Sequence, residues 1–350
     1  MPTDRPGPQT RPTVHDIARA AGVSLATVDR VLNARPGVRT GTISRVQQAI
    51  DDLGYVRDAA AANLARQRSF RFVVLLPDRD TGFLRALRAE VAAARPHALL
   101  DRILLEQRDV AAQDPQAMVA MLDALADDRV DGVAVLAPET PQTRDAIRRL
   151  RATGARVVTL ASDLPGSERD HFVGINNLAA GRTAGVLMGR FIGPGAGRVL
   201  VLAGSMLARD HAERRLGFDR VIQSDFPHLH VLPTLEGRDD PALIAAILPR
   251  ALAAQPDIRG IYSIGAGNRG LIQSLRAMGR ARDLTVVAHD LSPQARAALT
   301  DGTFDAVITQ DVGHMVRSAI RVLRAHVEGR DIIAAQERIR IEVFLKENLP

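Results

Sequence analysis

Cysteine and tryptophan are absent from this 350-residue sequence, and aromatic residues make up 3% of it. The absence of cysteine excludes disulfides, thiolate zinc sites and thiol nucleophiles. Lys346 is the only lysine among 46 basic residues. No glycine-rich loop leads to it, which excludes a P-loop nucleotide site, and its position argues against a Schiff-base role.

Long apolar runs are also missing, although 46% of the residues are hydrophobic. No run approaches the ~18 residues that a membrane span needs. The N-terminal residues are polar and lack the apolar core of a signal peptide. We therefore expect a cytoplasmic protein with no membrane partner. At roughly 150 residues per domain, the length predicts two or three domains.

Positive charge is concentrated at the N-terminus. Residues 1–68 contain ten arginines and six aspartates, whereas residues 69–350 contain 36 basic and 34 acidic residues. A basic segment joined to a nearly neutral remainder indicates a polyanion-binding domain attached to a separate body.

Three short helices are predicted after a proline-rich tail, residues 1–12, that we expect to be disordered. Thr13 is the N-cap of the first, Val14–Ala21, with Asp16 completing a capping box. Ser24 precedes the second, from Leu25 to about Asn33. The third spans residues 40–53 and ends at Gly54. Its predicted apolar face comprises Ile43, Val46, Ile50 and Leu53.

From residue 70 onward, short β-rich runs alternate with helical segments. The runs are Phe72–Leu76, Ile103–Glu106, Gly132–Leu136, Val157–Leu160, Val199–Ala203, Val231–Leu235, Gly260–Ile264, Leu284–Ala288 and Ala306–Thr309. Helical patterns fall near 82–94, 115–128, 142–152, 178–191, 210–223, 240–254, 268–279, 293–301 and 313–328, with a last strand at 339–344. This alternation predicts parallel βαβ units. Nine strands exceed one usual sheet, so we expect two doubly wound lobes with a ligand cleft at the carboxyl ends of their strands.

The first two helices, joined by a glycine-containing turn, fit either an ordinary αα corner or a DNA-binding helix-turn-helix. The basic segment favours the second interpretation. Leu25, Ala26 and Thr27 are small or compact residues able to approach bases, and Arg30 could reach a guanine edge or a phosphate.

The stretch Thr13–Asn33 closely resembles the head of the lac/gal repressor family of bacterial transcription regulators, and the match continues through Leu53-Gly54-Tyr55 to Asn63-Leu64-Ala65. The resemblance implies DNA-binding positions at Thr13, Ser24, Leu25, Ala26, Thr27, Asp29, Arg30 and Asn33. The family usually has serine where this chain has Asp29. A carboxylate there would repel phosphates, accept a hydrogen bond from cytosine or pair with a neighbouring arginine.

Residues 58–66 form an alanine-rich helical pattern that is too short to be stable alone in water. It is either a plain helical linker or, as the resemblance implies, a hinge that folds on the operator. In that case Leu64 wedges a base step apart, with Ala61 close to the groove floor. The expected domains are a helix-turn-helix domain at 13–57, a hinge and linker at 58–69, and a two-lobed effector-binding and dimerisation domain at 70–350.

A dinucleotide-like fingerprint lies late in the chain. Residues 265–270 read Gly-Ala-Gly-Asn-Arg-Gly after a predicted strand, and Asp290 follows 20 residues after the last glycine. The pattern could bind a nicotinamide dinucleotide. Alternatively, the resemblance implies that this loop and Asp290 face a sugar cleft, or the glycines only form tight turns.

The remaining effector candidates follow predicted strands or match positions of the family. Acids, amides and an arginine suit hydroxyl-rich ligands, since each can bridge two hydroxyl groups. The candidates are Asp78, Phe83, Asp163, Arg214, Asn268, Asp290 and Gln310. Asp163 could equally be a turn residue, since Pro165 and Gly166 follow it. Asp127-Asp128 and Asp239-Asp240 are interpreted as solvated loop charge.

The sequence thus predicts an α/β protein with a small all-α head and a body like the periplasmic sugar-binding proteins. We expect a DNA-binding regulator, acting as a repressor and homodimer on a pseudo-palindromic operator, with a sugar or polyol effector. The alternative is a nicotinamide-dinucleotide-sensing repressor. No catalytic constellation, metal site or cofactor is predicted, so we do not expect an enzyme.

Overall fold

Two units make up the chain: Met1–Arg68, here called the head, and Ser69–Pro350, here called the body. The computed structural model describes residues 12–32, 35–55, 69–112, 114–265 and 267–350. The predicted DNA-contacting residues Asn33, Ala61 and Leu64 lie outside these ranges.

The head contains three helices, α1 (Val14–Ala21), α2 (Leu25–Leu32) and α3 (Thr40–Leu53). Each contributes one fully buried residue to a common core: Ile17, Val28 and Val46. The prediction of three helices is confirmed. On the predicted apolar face of α3, Val46 is buried and Ile50 and Leu53 pack against the core, whereas Ile43 is 42% exposed, so the buried part of the face begins one turn later.

The residues at the two ends of α1 determine how the chain turns into α2. The Thr13 backbone N–H and hydroxyl donate to Asp16 Oδ2 over 2.9 and 2.7 Å, which fixes the start of α1. Gly22 ends the helix with a φ of 63°, a conformation that costs glycine little. Val23 N–H then donates to the Ala18 carbonyl over 3.0 Å. The chain is thereby redirected into α2.

Lobe 1 of the body is built on a parallel five-stranded sheet in the order β2-β1-β3-β4-β5. Strand β1 is buried on both faces from Phe72 to Leu76, as expected for a strand covered by helices on both sides. The strands are β1 (Phe70–Asp78), β2 (Ile103–Ala111), β3 (Gly132–Val135), β4 (Arg156–Leu160) and β5 (His171–Val173), and the helices between them are α4 (Gly82–Leu100), α5 (Pro115–Asp127) and α6 (Pro141–Ala152).

Lobe 2 is built on a six-stranded sheet in the order β7-β6-β8-β9-β10-β11, in which β11 is antiparallel to β10 and the other neighbours are parallel. The strands are β6 (Gly197–Ala203), β7 (Leu229–Glu236), β8 (Ile258–Ser263), β9 (Thr285–His289), β10 (Ala306–Gln310) and β11 (Ile341–Phe344). The helices are α7 (Asn177–Ile192), α8 (Arg209–Asp225), α9 (Pro241–Ala254), α10 (Asn268–Ala277) and α11 (Pro293–Asp301).

Three segments of the described chain cross between the lobes. The first links β5 to α7, and the second links β10 to α12 (Val312–Glu328), which packs back on lobe 1. The third leads from the short helix α13 (Ala334–Glu337) to β11. A helical head followed by two doubly wound lobes confirms the predicted fold class.

Two local predictions were wrong. Helix α4 is predicted to end near residue 94, yet it continues through Pro96 to Leu100, and its last turns bury Ala98. Strand β5 was not predicted, since its three residues are too short a run to give a signal.

Candidate DNA-binding surface and effector site

The first turn of α2 presents small side chains on the surface of the head. Val28 is fully buried, whereas Leu25 is 42% exposed and Ala26 and Arg30 are also exposed. The Ser24 hydroxyl accepts the backbone N–H of Thr27 over 3.2 Å. It therefore satisfies one of the N–H groups that a helix start leaves without a partner. The predicted base-reading residues thus share one accessible surface.

Asp29 on this surface forms an ion pair with an arginine. Arg35 Nη1 lies 3.2 Å from Asp29 Oδ2, and both side chains are more than half exposed. Of the three consequences considered for a carboxylate here, the structure contains the pairing with a neighbouring arginine. Because exposed pairs contribute only about 0–1 kcal/mol, its main effect is to offset a negative charge near the recognition surface.

The body contains a cavity at the carboxyl ends of its strands, between the lobes. Loops that follow β1, β7, β8 and β9 contribute to its lining, as expected for doubly wound sheets. The lining residues are Asp80, Thr81, Gly82, Phe83, Arg85, Asp239, Pro241, Gly265, Gly267, Asn268, Arg269, Gly270, Asp290, Ser292 and Gln294. The cavity encloses about 50 Å³, far below the roughly 300–1,000 Å³ of ordinary ligand sites.

Direct contacts between the lobes keep this cavity small. Arg79 Nη1 of lobe 1 lies 3.3 Å from Asp239 Oδ2 of lobe 2. A Cβ at Gly82 would lie 2.8 Å from the Ser292 Cβ, so the backbone of α4 begins against the opposite lobe. The lobes therefore stand in a closed arrangement.

Arg214 on α8 is 3% exposed and is held by neutral acceptors. Its Nε donates to Asn177 Oδ1 over 2.9 Å, and its Nη1 donates to the Ile264 carbonyl over 2.8 Å. Asn177 in turn donates to the Ala161 carbonyl of lobe 1 over 3.0 Å. The guanidinium is thus fixed where the two lobes meet.

Close packing of α7 on α8 sets the position of Arg214. A Cβ at Gly181 would lie 2.0 Å from the Arg214 carbonyl oxygen, and one at Gly217 would lie 2.1 Å from the Leu178 carbonyl oxygen. Only glycine permits two helix backbones to approach so closely. These two glycines therefore bring Arg214 toward the lobe boundary.

Asp290 begins the loop after β9 and lines the cavity. Burial raises the pKa of its carboxyl to about 6, with Asp210 and Asp239 acting in the same direction and Arg214 opposing them. The residue retains some exposed surface, which is turned to the cavity that it lines. Its carboxylate can accept hydrogen bonds from a ligand there.

Comparison with models of known protein families assigns the chain to a family. Residues 13–58 match the family model of bacterial regulatory proteins of the lacI family, and residues 72–331 match that of the periplasmic binding protein domain. The chain belongs to the lacI family of regulators. It is therefore a DNA-binding transcriptional regulator with a body of the periplasmic-binding-protein type, which confirms the predicted family.

Individual relatives agree with this assignment. The transcriptional regulator MalR of Streptomyces coelicolor is 28% identical over 330 residues, or 90% of each chain. Catabolite control protein A of Priestia megaterium is 29% identical over 153 residues, which span 43% of each chain. The crystal structure of GanP, a glucose-galactose binding protein from Geobacillus stearothermophilus, superposes with a TM-score of 0.72 at 21% identity, covering 81% of this chain and 99% of that one. None of the described helices of this lacI-family regulator is long and apolar enough to span a membrane.

The other predicted effector residues of the regulator take different positions. Phe83 and Asn268 line the cavity, but the Asn268 side chain also bonds to Ser263 Oγ and the His289 carbonyl, both over 2.7 Å. Gln310 is buried at the crossing from lobe 2 to lobe 1, and its Oε1 has no hydrogen-bond partner among the described residues.

Four predicted effector residues lie outside the cavity lining: Asp78, Asp163, Arg214 and Gln310. Asp78 is exposed at the end of β1, and Asp80 takes the lining position. Asp163 accepts from Thr159 Oγ1 over 3.0 Å and from Leu164 N–H over 2.7 Å, and it pairs with Arg169. These contacts match the turn role that was the alternative interpretation of Asp163.

The glycines of residues 265–270 are arranged unlike a phosphate-binding loop. A Cβ at Gly267 would lie 2.6 Å from Ile244 Cδ1, and one at Gly270 would lie 2.9 Å from Pro241 Cα. Both glycines therefore serve the packing of α10 on α9, whereas a dinucleotide site uses the second glycine to admit the pyrophosphate. With so little enclosed volume, this geometry disfavours the nicotinamide interpretation.

Two residues near the cavity were missed from the sequence. The interpretation of Asp239 as solvated loop charge is wrong, because its side chain is 14% exposed and its Oδ1 is buried with no hydrogen-bond partner in the described chain. Burial raises the pKa of Asp239, while Arg79 and His211 lower it. His211 precedes Arg214 by three residues, so both side chains extend from the same side of α8. The three-residue spacing from Arg214 is the sequence signal that could have identified His211.

Proposed function

We propose that this regulator is a repressor controlled by a sugar or polyol that binds between its lobes. The observation that carries the proposal is the convergence of a buried arginine and a carboxylate at the lobe boundary. Arg214 Nη1 and Asp290 Oδ2 lie 2.7 and 3.4 Å from the point that a Cβ on Gly265 would occupy. Both groups therefore approach the Gly265 backbone closely, side by side at the lobe boundary.

A donor and an acceptor this close together suit neighbouring hydroxyl groups. A hydroxyl both donates and accepts, so Arg214 can donate to one oxygen while Asp290 accepts from the next. Phe83 supplies an apolar face for the carbon side of a sugar ring. GanP, whose structure superposes on this chain, is a glucose-galactose binding protein, and this similarity supports a sugar as the effector.

Effector binding requires a change in the distance between the lobes. A cavity of about 50 Å³ holds no more than a few water molecules, so a sugar enters only when the lobes separate. A ligand shifts an equilibrium between two lobe arrangements by its differential affinity for them. The segments that cross between the lobes, including Gln310, are where that change is accommodated.

The operator-bound form is a homodimer in this proposal. A two-fold protein reads a two-fold DNA site, with one α2 in each half-site. Leu64 of each hinge inserts into the central base step, a wedging contact that bends DNA. Lobe movement changes the spacing of the paired hinges and so releases the operator.

The proposal is tested by selecting genomic fragments with the purified full-length protein and then titrating the selected DNA with sugars and polyols. We expect an enriched pseudo-palindrome, a dimer by light scattering, and release of the DNA by one compound of the panel. An enriched site that no sugar or polyol affects would overturn the effector assignment. Leu64→Ala should weaken specific affinity, with nonspecific affinity unchanged.

A further inference from the structure

His211 stands at the same point between the lobes as Arg214 and Asp290. Its Nε2 lies 3.7 Å from the position that a Cβ on Gly265 would take, the point already flanked by Arg214 Nη1 and Asp290 Oδ2. Gly265 has a φ of 147°, which other residues rarely adopt. Glycine at this position therefore lets a guanidinium, a carboxylate and an imidazole converge on one point of the backbone.

The hydrogen bond at the other side of the ring fixes what His211 can offer. Nδ1 lies 2.9 Å from the carbonyl oxygen of Ser205. Since a carbonyl only accepts, Nδ1 carries the hydrogen, and Nε2 of the neutral ring retains its lone pair. In the neutral ring, His211 thus presents a hydrogen-bond acceptor on the side that faces Gly265, Arg214 and Asp290.

No donor in the described part of the chain contacts this acceptor. Asp210 Oδ2 lies 3.9 Å from Nε2, which is beyond hydrogen-bond distance. The His211 side chain is only 12% exposed. A poorly hydrated acceptor gains from a ligand donor, because leaving it unsatisfied carries a desolvation penalty.

We propose that His211 determines effector specificity by accepting a hydrogen bond from one effector hydroxyl, next to the hydroxyl held by Arg214 and Asp290. The inference rests on the proposed sugar or polyol function and extends it. The three groups together read two adjacent hydroxyls: Arg214 donates, whereas Asp290 and His211 accept. A site that hydrogen-bonds a hydroxyl rejects the analogue that lacks it.

In a purely structural role, His211 would only hold the loop at Ser205 in place through the hydrogen bond from Nδ1. Two substitutions separate the roles. In His211→Asn, the amide nitrogen can replace Nδ1 as donor to the Ser205 carbonyl, but nothing occupies the place of Nε2. In His211→Gln, the longer amide places an oxygen close to the Nε2 position. His230→Asn, at an exposed position of β7, is the matched control.

The experiment is calorimetry with the full-length protein and a panel of pentoses, hexoses and their alditols. The tightest compound is then compared with its monodeoxy derivatives on the wild type and the three variants. We expect His211→Asn to bind the parent about tenfold or more weakly, the loss of one good hydrogen bond, and His211→Gln to recover part of it. For one deoxy derivative, wild type and His211→Asn should bind equally.

The inference is overturned if His211→Asn binds the parent compound as tightly as the wild type does. It is also overturned if His211→Asn discriminates against every deoxy derivative as strongly as the wild type does. The lost affinity for the parent compound would then not be tied to any one hydroxyl group. Each variant is compared with itself across the parent compound and its deoxy derivatives, so the comparison remains valid even if a variant has a lower melting temperature. A wild type that binds no compound of the panel refutes the proposed effector class itself, and the inference falls with it.

Discussion

Arg209 of lobe 2 and Glu139 of lobe 1 form an ion pair that joins the lobes of the body. Arg209 Nη1 lies 3.0 Å from Glu139 Oε2 and 3.2 Å from Oε1, and Arg144 bonds to the same carboxylate. Neither Glu139 nor Arg209 lines the cavity. This pair can therefore influence lobe closure without contacting the effector.

Glu139→Gln should loosen lobe closure. The neutral amide retains the shape but not the charge, so we expect the free energy of unfolding to fall by about 1.5–3 kcal/mol, the range for hydrogen bonds to charged groups. Hydrogen exchange should accelerate in the crossing segments 174–176 and 338–340. Glu236→Gln, at an exposed end of β7, is the control. Equal exchange in the two variants would contradict a role of the pair in closure.

The same pair predicts a pH dependence. Burial acts to raise the pKa of Glu139, but the hydrogen bonds from Arg209 and Arg144 outweigh it, and the pKa is lowered below 4.5. A lowered native pKa gives stability that is present above pH 4.5 and is lost as pH falls through the native value. Glu139→Gln should therefore destabilise the protein at pH 7 and lose this effect under acidic conditions.

Gly181→Ala should displace Arg214. Its Cβ would lie 2.0 Å from the Arg214 carbonyl oxygen, so α7 and α8 must separate. Overpacking of this kind costs about 1–3 kcal/mol, and the shifted guanidinium should weaken sugar binding. Gly41→Ala on α3 is the matched control, since nothing lies within 4 Å of its Cβ. A Gly181→Ala protein with wild-type melting temperature and sugar affinity would disprove this positioning role.

Local patterns were sufficient to predict most of the fold. The apolar run from Phe72 to Leu76 predicts β1 because a strand covered on both faces needs no alternation. Gly54 ended α3 as predicted, with a φ of 60°. The continuation of α4 through Pro96 to Leu100 runs against the local preference of proline, which is why the sequence pattern does not predict it.

The site was predictable where its residues follow strands or match the family pattern. Arg214 and Asp290 are of this kind. The burial of Asp239 could not be predicted, because its ion-pair partner, Arg79, lies 160 residues away in the sequence. His211 was missed because its acceptor role depends on the Ser205 carbonyl, whose position is set by the loop after β6. Contacts of this sort arise only once the lobes have folded.

Asp29→Asn should strengthen operator binding. It removes a negative charge from the exposed face of α2 and releases Arg35 from its ion pair. One charge–charge interaction at about 4 Å in water is worth about 1 kcal/mol, so we expect roughly fivefold tighter binding at low salt and less at high salt. Asp51→Asn on α3 removes the same charge elsewhere in the head. Fluorescence anisotropy over a salt series should separate the two, and equal gains would exclude a local effect of Asp29.

Asp290→Asn should stabilise the regulator while weakening its response to sugar. The native pKa of Asp290 is about 6 against an ordinary value of 3.8. An acid whose pKa is raised by folding gives stability that is complete below pH 3.8 and is lost as pH rises through 6. The wild type therefore carries a penalty at neutral pH that an amide, which does not titrate, avoids.

The gain from Asp290→Asn should consequently depend on pH. Each unit of pKa shift corresponds to about 1.4 kcal/mol, so we expect a gain on the order of 3 kcal/mol at pH 7.5 that disappears near pH 4. Asp225→Asn, at an exposed position at the end of α8, should show no such dependence. Thermal melts of the three proteins at both pH values, together with sugar titrations, measure both effects. An equal shift at the two pH values would mean that the Asp290 carboxyl carries no burial penalty, and that the acceptor assigned to the effector is an ordinary solvated acid.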